Sequence, residues 1–273
     1  MTEKKKTIQI QKRTFKPSYI EFFRVQFFNL LVLIMIICYQ NKNYAQDTLF
    51  VNNVLENDFF RIEEMNDSTN AGLIILETLT QIRPQILKDF GMDYLEKITV
   101  KIYPTLESFH KAVNMENANN WVVGTAWGTN EFRMASPLCP NLPISFKVMT
   151  EILPVHEFTH LVTMRLTDPR KIPYWLWEGI ALYHAGQKAE LQKVINHQDQ
   201  LPDFKNLNSF QNAFTYGYSL IEFIIYKWGK ETIPALIKNK GNIDSVLNIE
   251  PDQFLKMWMS FVDLNYLKIL NKN

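Results

Sequence analysis

The chain has 273 residues, of which 47% are hydrophobic, 13% aromatic and 21% charged. That is enough apolar material for one large domain or two small ones, and it excludes a disordered or collagen-like chain. The formal net charge of +1 argues against a nucleic-acid partner, whose binding surface is usually strongly basic.

In chain order, the first forty-five residues stand apart. Lys4, Lys5, Lys6, Lys12, Arg13, Lys16 and Arg24 are basic, and an apolar run follows from Leu30 to Cys38, preceded by Phe27 and Phe28. The run falls short of the about 20 residues that span a bilayer comfortably. A basic start, a short apolar core and a polar stretch ending at Ala45-Gln46 describe a secretory signal cleaved there. The alternative is an uncleaved membrane anchor through residues 27–39. In both cases residues 46–273 are expected to be exported, whether periplasmic, on the cell surface or secreted. Ile37 is too bulky for the usual lipid-attachment motif at Cys38. Past the cleavage point Cys139 has no intrachain partner, and a small buried hydrophobe is the expected role for it.

Residues 46–273 read as one domain of the α+β class: a small N-terminal mixed sheet with an edge strand, then a mainly helical C-terminal lobe. Phe59–Ile62 predicts a short strand, and Asp67-Ser68 offers an N-cap. Leu73, Leu76, Leu79, Ile82, Ile86 and Phe90 recur at helical spacing, and Gly91 stops that helix. Ile98, Val100 and Ile102 alternate as in a half-buried strand, and Pro104-Thr105 opens a short helix carrying Phe109 and Val113. Trp121–Pro137 predicts strand, turn, strand, with Glu131–Ser136 as the edge strand below a cleft. Pro137, Pro140 and Pro143 mark a loop. Helices are then expected near 147–166, 174–197, 213–228, 230–239 and 251–270.

The first of these helices carries His156-Glu157-Phe158-Thr159-His160. Residues four apart on a helix lie about 40° apart around its axis, one above the other, so the two imidazoles can converge on one ion. Glu157 points to the flank of that face, where it can meet a metal-bound water without taking a coordination position. Two solvated histidines on a surface helix are the alternative, but Ile152, Leu153, Val155, Leu161 and Val162 bury this helix. A catalytic zinc site takes three protein ligands and keeps one position open. Glu178 lies in Pro173-Tyr-Trp-Leu-Trp-Glu-Gly-Ile-Ala181, where a lone charge is costly unless paired or metal-bound. Its alternative role is a glutamate favoured by the helix dipole. His184, the rival ligand, faces elsewhere and marks a surface edge; His110 and His197 lack metal-type spacing. Trp127, Trp175 and Trp177 either line the cleft or, as the larger share of the reading, form core.

The run His156-Glu157-x-x-His160 followed by Trp177-Glu178-Gly179-x-Ala181 resembles the gluzincin metallopeptidases, specifically the compact peptidase MA-like domains. Ile98–Pro104, Trp121–Gly124, Tyr218–Phe223, Trp228-Gly229 and Phe254-x-x-x-Trp258 extend the resemblance over most of residues 55–265, although the zinc motif is its one sharp feature. The resemblance implies a zincin-like fold, a Zn²⁺ cofactor held by His156, His160 and Glu178, Glu157 as general base, and a peptide or protein substrate. It also implies a Tyr or His from the helical lobe beside the oxyanion. Tyr218 and Tyr216 are the candidates, with packing at a helix start as their alternative role. Two departures stand out. Seventeen residues separate His160 from Glu178, slightly fewer than in the best-known members. Leu182 stands where an acidic residue would orient a zinc-bound histidine, which leaves that orienting group unassigned. Competing readings are a catalytically silent zinc-binding interaction module, a zinc hydrolase of a non-peptide amide, and a membrane-anchored binding protein with an accidental motif.

Overall fold

The computed structural model describes residues 51, 53–65, 70–191 and 203–267. The leader or anchor expected in residues 1–45, the N-cap at Asp67-Ser68, and His197 lie outside the described residues. No helix among the described residues is long and apolar enough to cross a membrane.

Five strands form one mixed sheet: β1 (Asn53–Glu56), β2 (Phe60–Glu64), β3 (Ile98–Tyr103), β4 (Gly124–Trp127) and β5 (Glu131–Ala135). Their spatial order is β1-β2-β3-β5-β4. β2 and β3 are joined by helix α1 (Asn70–Asp89), and a connection of that length allows the parallel pairing observed. β3 also pairs parallel with β5, whereas β1 and β4 run antiparallel to their neighbours. This is the α+β arrangement that the sequence predicts, with the short strand β1 added.

The edge strand needs correcting. Glu131–Ala135 is an inner strand, flanked by β3 and β4, and the sheet ends at Gly124–Trp127. In β5, Phe132, Arg133, Met134 and Ala135 are all buried, while β4 alternates half-buried and buried positions. Arg133 is accommodated inside by Glu131 at 2.6 Å, by the carbonyl of Ala112 at 2.6 Å and by the Trp127 ring at 4.5 Å. That satisfied guanidinium lets an apparently alternating sequence occupy the interior.

Helix α2 (Leu106–Ala112) starts on a Thr105 cap that exchanges hydrogen bonds with Ser108. The expected helix at 147–166 is in fact two elements, a π-helical turn at Val148–Ile152 and then α3 (Leu153–Met164). Pro154 has no N–H to give the carbonyl four residues back, and its ring crowds that carbonyl, so the preceding turn widens. The Leu153 N–H reaches the Val148 carbonyl instead. Ten consecutive residues of α3, Pro154–Thr163, are buried. The hydroxyls of Thr159 and Thr163 are satisfied within the helix by the carbonyls of Val155 and Thr159.

The helical lobe continues with α4 (Tyr174–His184), α5 (Phe210–Trp228), α6 (Thr232–Lys238), α7 (Ile243–Leu247) and α8 (Pro251–Val262). Helix α4 stops well before the expected residue 197, because Gly186 takes a left-handed φ of 67°. Helix α5 starts three residues before the expected 213, on a Ser209 cap. Leu73 on α1 is 45% exposed, and the buried stripe runs instead through Ile75, Leu79 and Ile86.

His184 corrects a second expectation, since its side chain is buried and not on a surface edge. It packs against the Phe90 ring and lies 3.9 Å from Asp89, which also pairs with Lys230 at 2.9 Å. Burial, opposed by Asp89 and reinforced by Lys230, pushes its pKa from 6.5 down to about 4. Above pH 6.5 neither folded nor unfolded chain carries this proton. As pH falls from there to about 4, the unfolded chain takes it up first, so stability drops across that window by about 3 kcal/mol and then levels. Urea midpoints measured across the window should show this loss in wild type and less of it in His184→Gln. Equal slopes in both would remove His184 as the cause.

Candidate metal centre

Helices α3 and α4 bring the predicted ligands together in the core. His156 Nε2 and His160 Nε2 are 3.0 Å apart, and Glu178 Oε2 lies 3.4 Å from the first and 3.7 Å from the second. Bonds of about 2.0–2.2 Å at tetrahedral angles place ligand atoms about 3.3–3.6 Å apart. The three observed separations bracket that range.

The electrostatics ask for a cation at the same point. His160 and Glu178 are fully buried, and His156 is only 7% exposed. Neither Glu178 oxygen accepts a well-formed hydrogen bond from the described residues, and a bare carboxylate in the interior is strongly unfavourable. Burial lowers the basicity of both imidazoles. For His160, with the charge of His156 adding to the effect, the pKa lies well below 6.5, so the ring is neutral and its lone pair available. For His156 the adjacent Glu178 carboxylate outweighs burial and raises the pKa. Two histidines and a carboxylate, converging in a dry site with a cavity beside them, fit a divalent metal with an open position.

Helix α4 and the turn that ends it supply more than Glu178. Trp177 stacks on His160 with centroids 4.2 Å apart and planes 9° from parallel, which fixes that ring. Gln187 fixes the other: its Oε1 is 2.7 Å from His156 Nδ1. Trp127 and Trp175 are core, at 4% and 1% exposure. Cys139 is a buried free thiol, and His110 is buried with a ring nitrogen 2.8 Å from the Val122 carbonyl.

Glu157 lines the cavity shared with His156, Glu178 and Gln187, about 320 Å³ in volume. Burial pushes its carboxyl up to about 7; the charge of His156 and the backbone N–H of Ala126 on β4 restrain the rise. The rest of the wall is largely apolar, built from Val123, Val148, Met149, Leu153, Phe210 and Phe214 among others.

The two tyrosines expected to serve the site are not among the residues that line this cavity. Tyr218 packs on Tyr183, with Lys188 Nζ 5.8 Å from its ring, and Tyr216 packs edge-on against Trp258. The face of α5 that lines the cavity presents Phe210 and Phe214. Tyr218 continues that row one turn on, about 6 Å along the axis. A tyrosine that sequence reasoning passed over, Tyr174, stands one helical turn before Glu178 on α4. Burial first, then the charges of Glu178 and Glu157, push its phenol well above its ordinary value, so it remains a proton donor. The i, i+4 spacing from Glu178 was the signal available for it.

No protein-family model matches this chain, and a search of curated proteins finds no match either.

Proposed function

We propose that this chain is a zinc-dependent hydrolase cutting peptide bonds, acting outside the cytoplasm either as a released domain or tethered by its N-terminal segment. The observation that carries the reading is the convergence of His156, His160 and Glu178 with a separate buried carboxylate, Glu157, on the open side. A structural site needs no such base. His156, His160 and Glu178 would hold the metal, and the ion, when bound, supplies Lewis acidity toward a carbonyl and a water molecule. Glu157 accepts the proton of the attacking water and delivers it to the leaving amine. Tyr174, one helical turn before Glu178 and kept protonated by its burial, is the phenol assigned here to the oxyanion that develops. An extended peptide adds to the outer edge of β4, whose backbone also holds Glu157. The apolar wall of the cavity favours a large apolar side chain next to the scissile bond and disfavours a charged one.

Metal analysis of the purified chain tests the reading. Wild type is expected to carry near-stoichiometric zinc, and His160→Ala to carry none above background. A mixed peptide library should be cut beside Leu, Phe or Met far more often than beside Asp or Lys. Zinc without cleavage of any library member would favour the silent module; zinc retained in His160→Ala would sink the metal site itself.

A further inference from the structure

Gln187 holds a position that the metal site needs and that an uninterrupted helix does not provide. On a continuous helix, nine residues beyond Glu178 amount to about 180° of rotation, which places residue 187 on the face opposite the ligand. Instead α4 ends in a Schellman motif. The Gly186 N–H donates to the Tyr183 carbonyl at 3.1 Å, and the Gln187 N–H to the Leu182 carbonyl at 2.8 Å, with Gly186 at φ 67°. This reversal turns the Gln187 side chain back toward α3, where Oε1 meets His156 Nδ1 at 2.7 Å. The next residue anchors the turn: Lys188 Nζ lies 3.3 Å from Glu222 on α5 and 4.2 Å from the centre of the Tyr266 ring, and the Tyr266 hydroxyl donates to Glu222.

We infer that Gln187 is the positioning residue of the metal site, holding His156 in the tautomer that presents Nε2 to the ion. The inference rests on the metal-binding reading above. With Oε1 as acceptor, Nδ1 must carry the proton and the Nε2 lone pair faces His160 and Glu178. A flipped amide would donate to Nδ1 and force the proton onto Nε2, pointing it into the metal position. The two arrangements are chemically opposite, so they can be told apart. The neutral amide takes the place of the carboxylate that more commonly orients a metal-bound imidazole, and it adds no third negative charge beside Glu157 and Glu178.

The test uses the full chain and zinc alone, with affinity measured by competition against a chromophoric chelator. Gln187→Met keeps the volume but cannot accept a strong hydrogen bond, and should weaken zinc binding about 10–100-fold. Gln187→Glu restores an acceptor and should bind zinc at least as tightly as wild type. In the ¹⁵N spectrum of the zinc-loaded wild type, His156 should carry its proton on Nδ1, and the exchange of that proton should quicken in Gln187→Met. Equal zinc affinity in wild type and Gln187→Met overturns the inference while leaving the metal site standing; a proton on Nε2 in the zinc-loaded protein overturns the inference and removes His156 from the ligands as well. A wild type that takes up no zinc overturns both.

Discussion

Glu157→Gln should abolish peptide hydrolysis, lowering kcat by about 10²–10⁴-fold, while the protein keeps its full complement of zinc. The expected split follows from position. Glu157 projects from α3 beside the two imidazoles, lines the cavity, and is not one of the three groups whose atoms lie within 4.8 Å of one another. The amide matches the carboxylate in shape and can still accept the Ala126 N–H, so the fold around β4 and α3 has no reason to shift. What is lost is the capacity to take a proton. Steady-state kinetics on a cleavable library peptide, paired with metal analysis of the same sample, checks both halves. Loss of zinc along with activity would place Glu157 among the ligands. Retained activity would remove it from the chemistry and with it the main ground for calling the site catalytic.

The candidate ligand set was legible because its parts obey local rules. His156 and His160 share a helix face by spacing alone, and Glu178 is conspicuous as a charge amid Trp175, Leu176, Trp177 and Ile180. The layer order was legible for the same reason: Ile98, Val100 and Ile102 announce a strand, and the helical repeats beyond residue 147 announce a lobe. Features set by tertiary context were not. Arg133 looks like an exposed strand residue until Glu131, Trp127 and Ala112 are seen around it. Gln187 could be placed only after knowing that Gly186 ends α4, since a helix continued to residue 197 sends it to the far side. The resemblance pointed to Tyr218 and Tyr216, but the start of α5 at Phe210 sets which residues of that helix line the cavity, and these are Phe210 and Phe214.

Gly179→Ala should destabilise the fold by about 1–3 kcal/mol, the cost of overpacking a tight interface, although the change would favour an isolated helix by about 1 kcal/mol. Gly179 sits where α4 and α5 approach most closely. A Cβ on Gly179 would lie 2.8 Å from the Gly217 carbonyl oxygen and 3.0 Å from its carbon; one on Gly217 would lie 2.8 Å from the Gly179 Cα. These neighbours are backbone atoms in mid-helix, so no side chain can rotate away and one helix must move bodily. Glu178 is the adjacent residue, hence any shift of α4 also displaces its carboxylate from the two imidazoles, which ride on α3 and have no reason to follow. The variant should therefore lose zinc affinity together with stability, whereas a conservative change at a buried α5 position away from Gly179, such as Ile224→Val, should cost stability alone, about 0.5–1.5 kcal/mol. Urea midpoints with and without chelator, measured beside zinc affinity, separate the two effects. A Gly179→Ala protein as stable as wild type, binding zinc equally well, would mean that α4 is not held in place by its contact with α5.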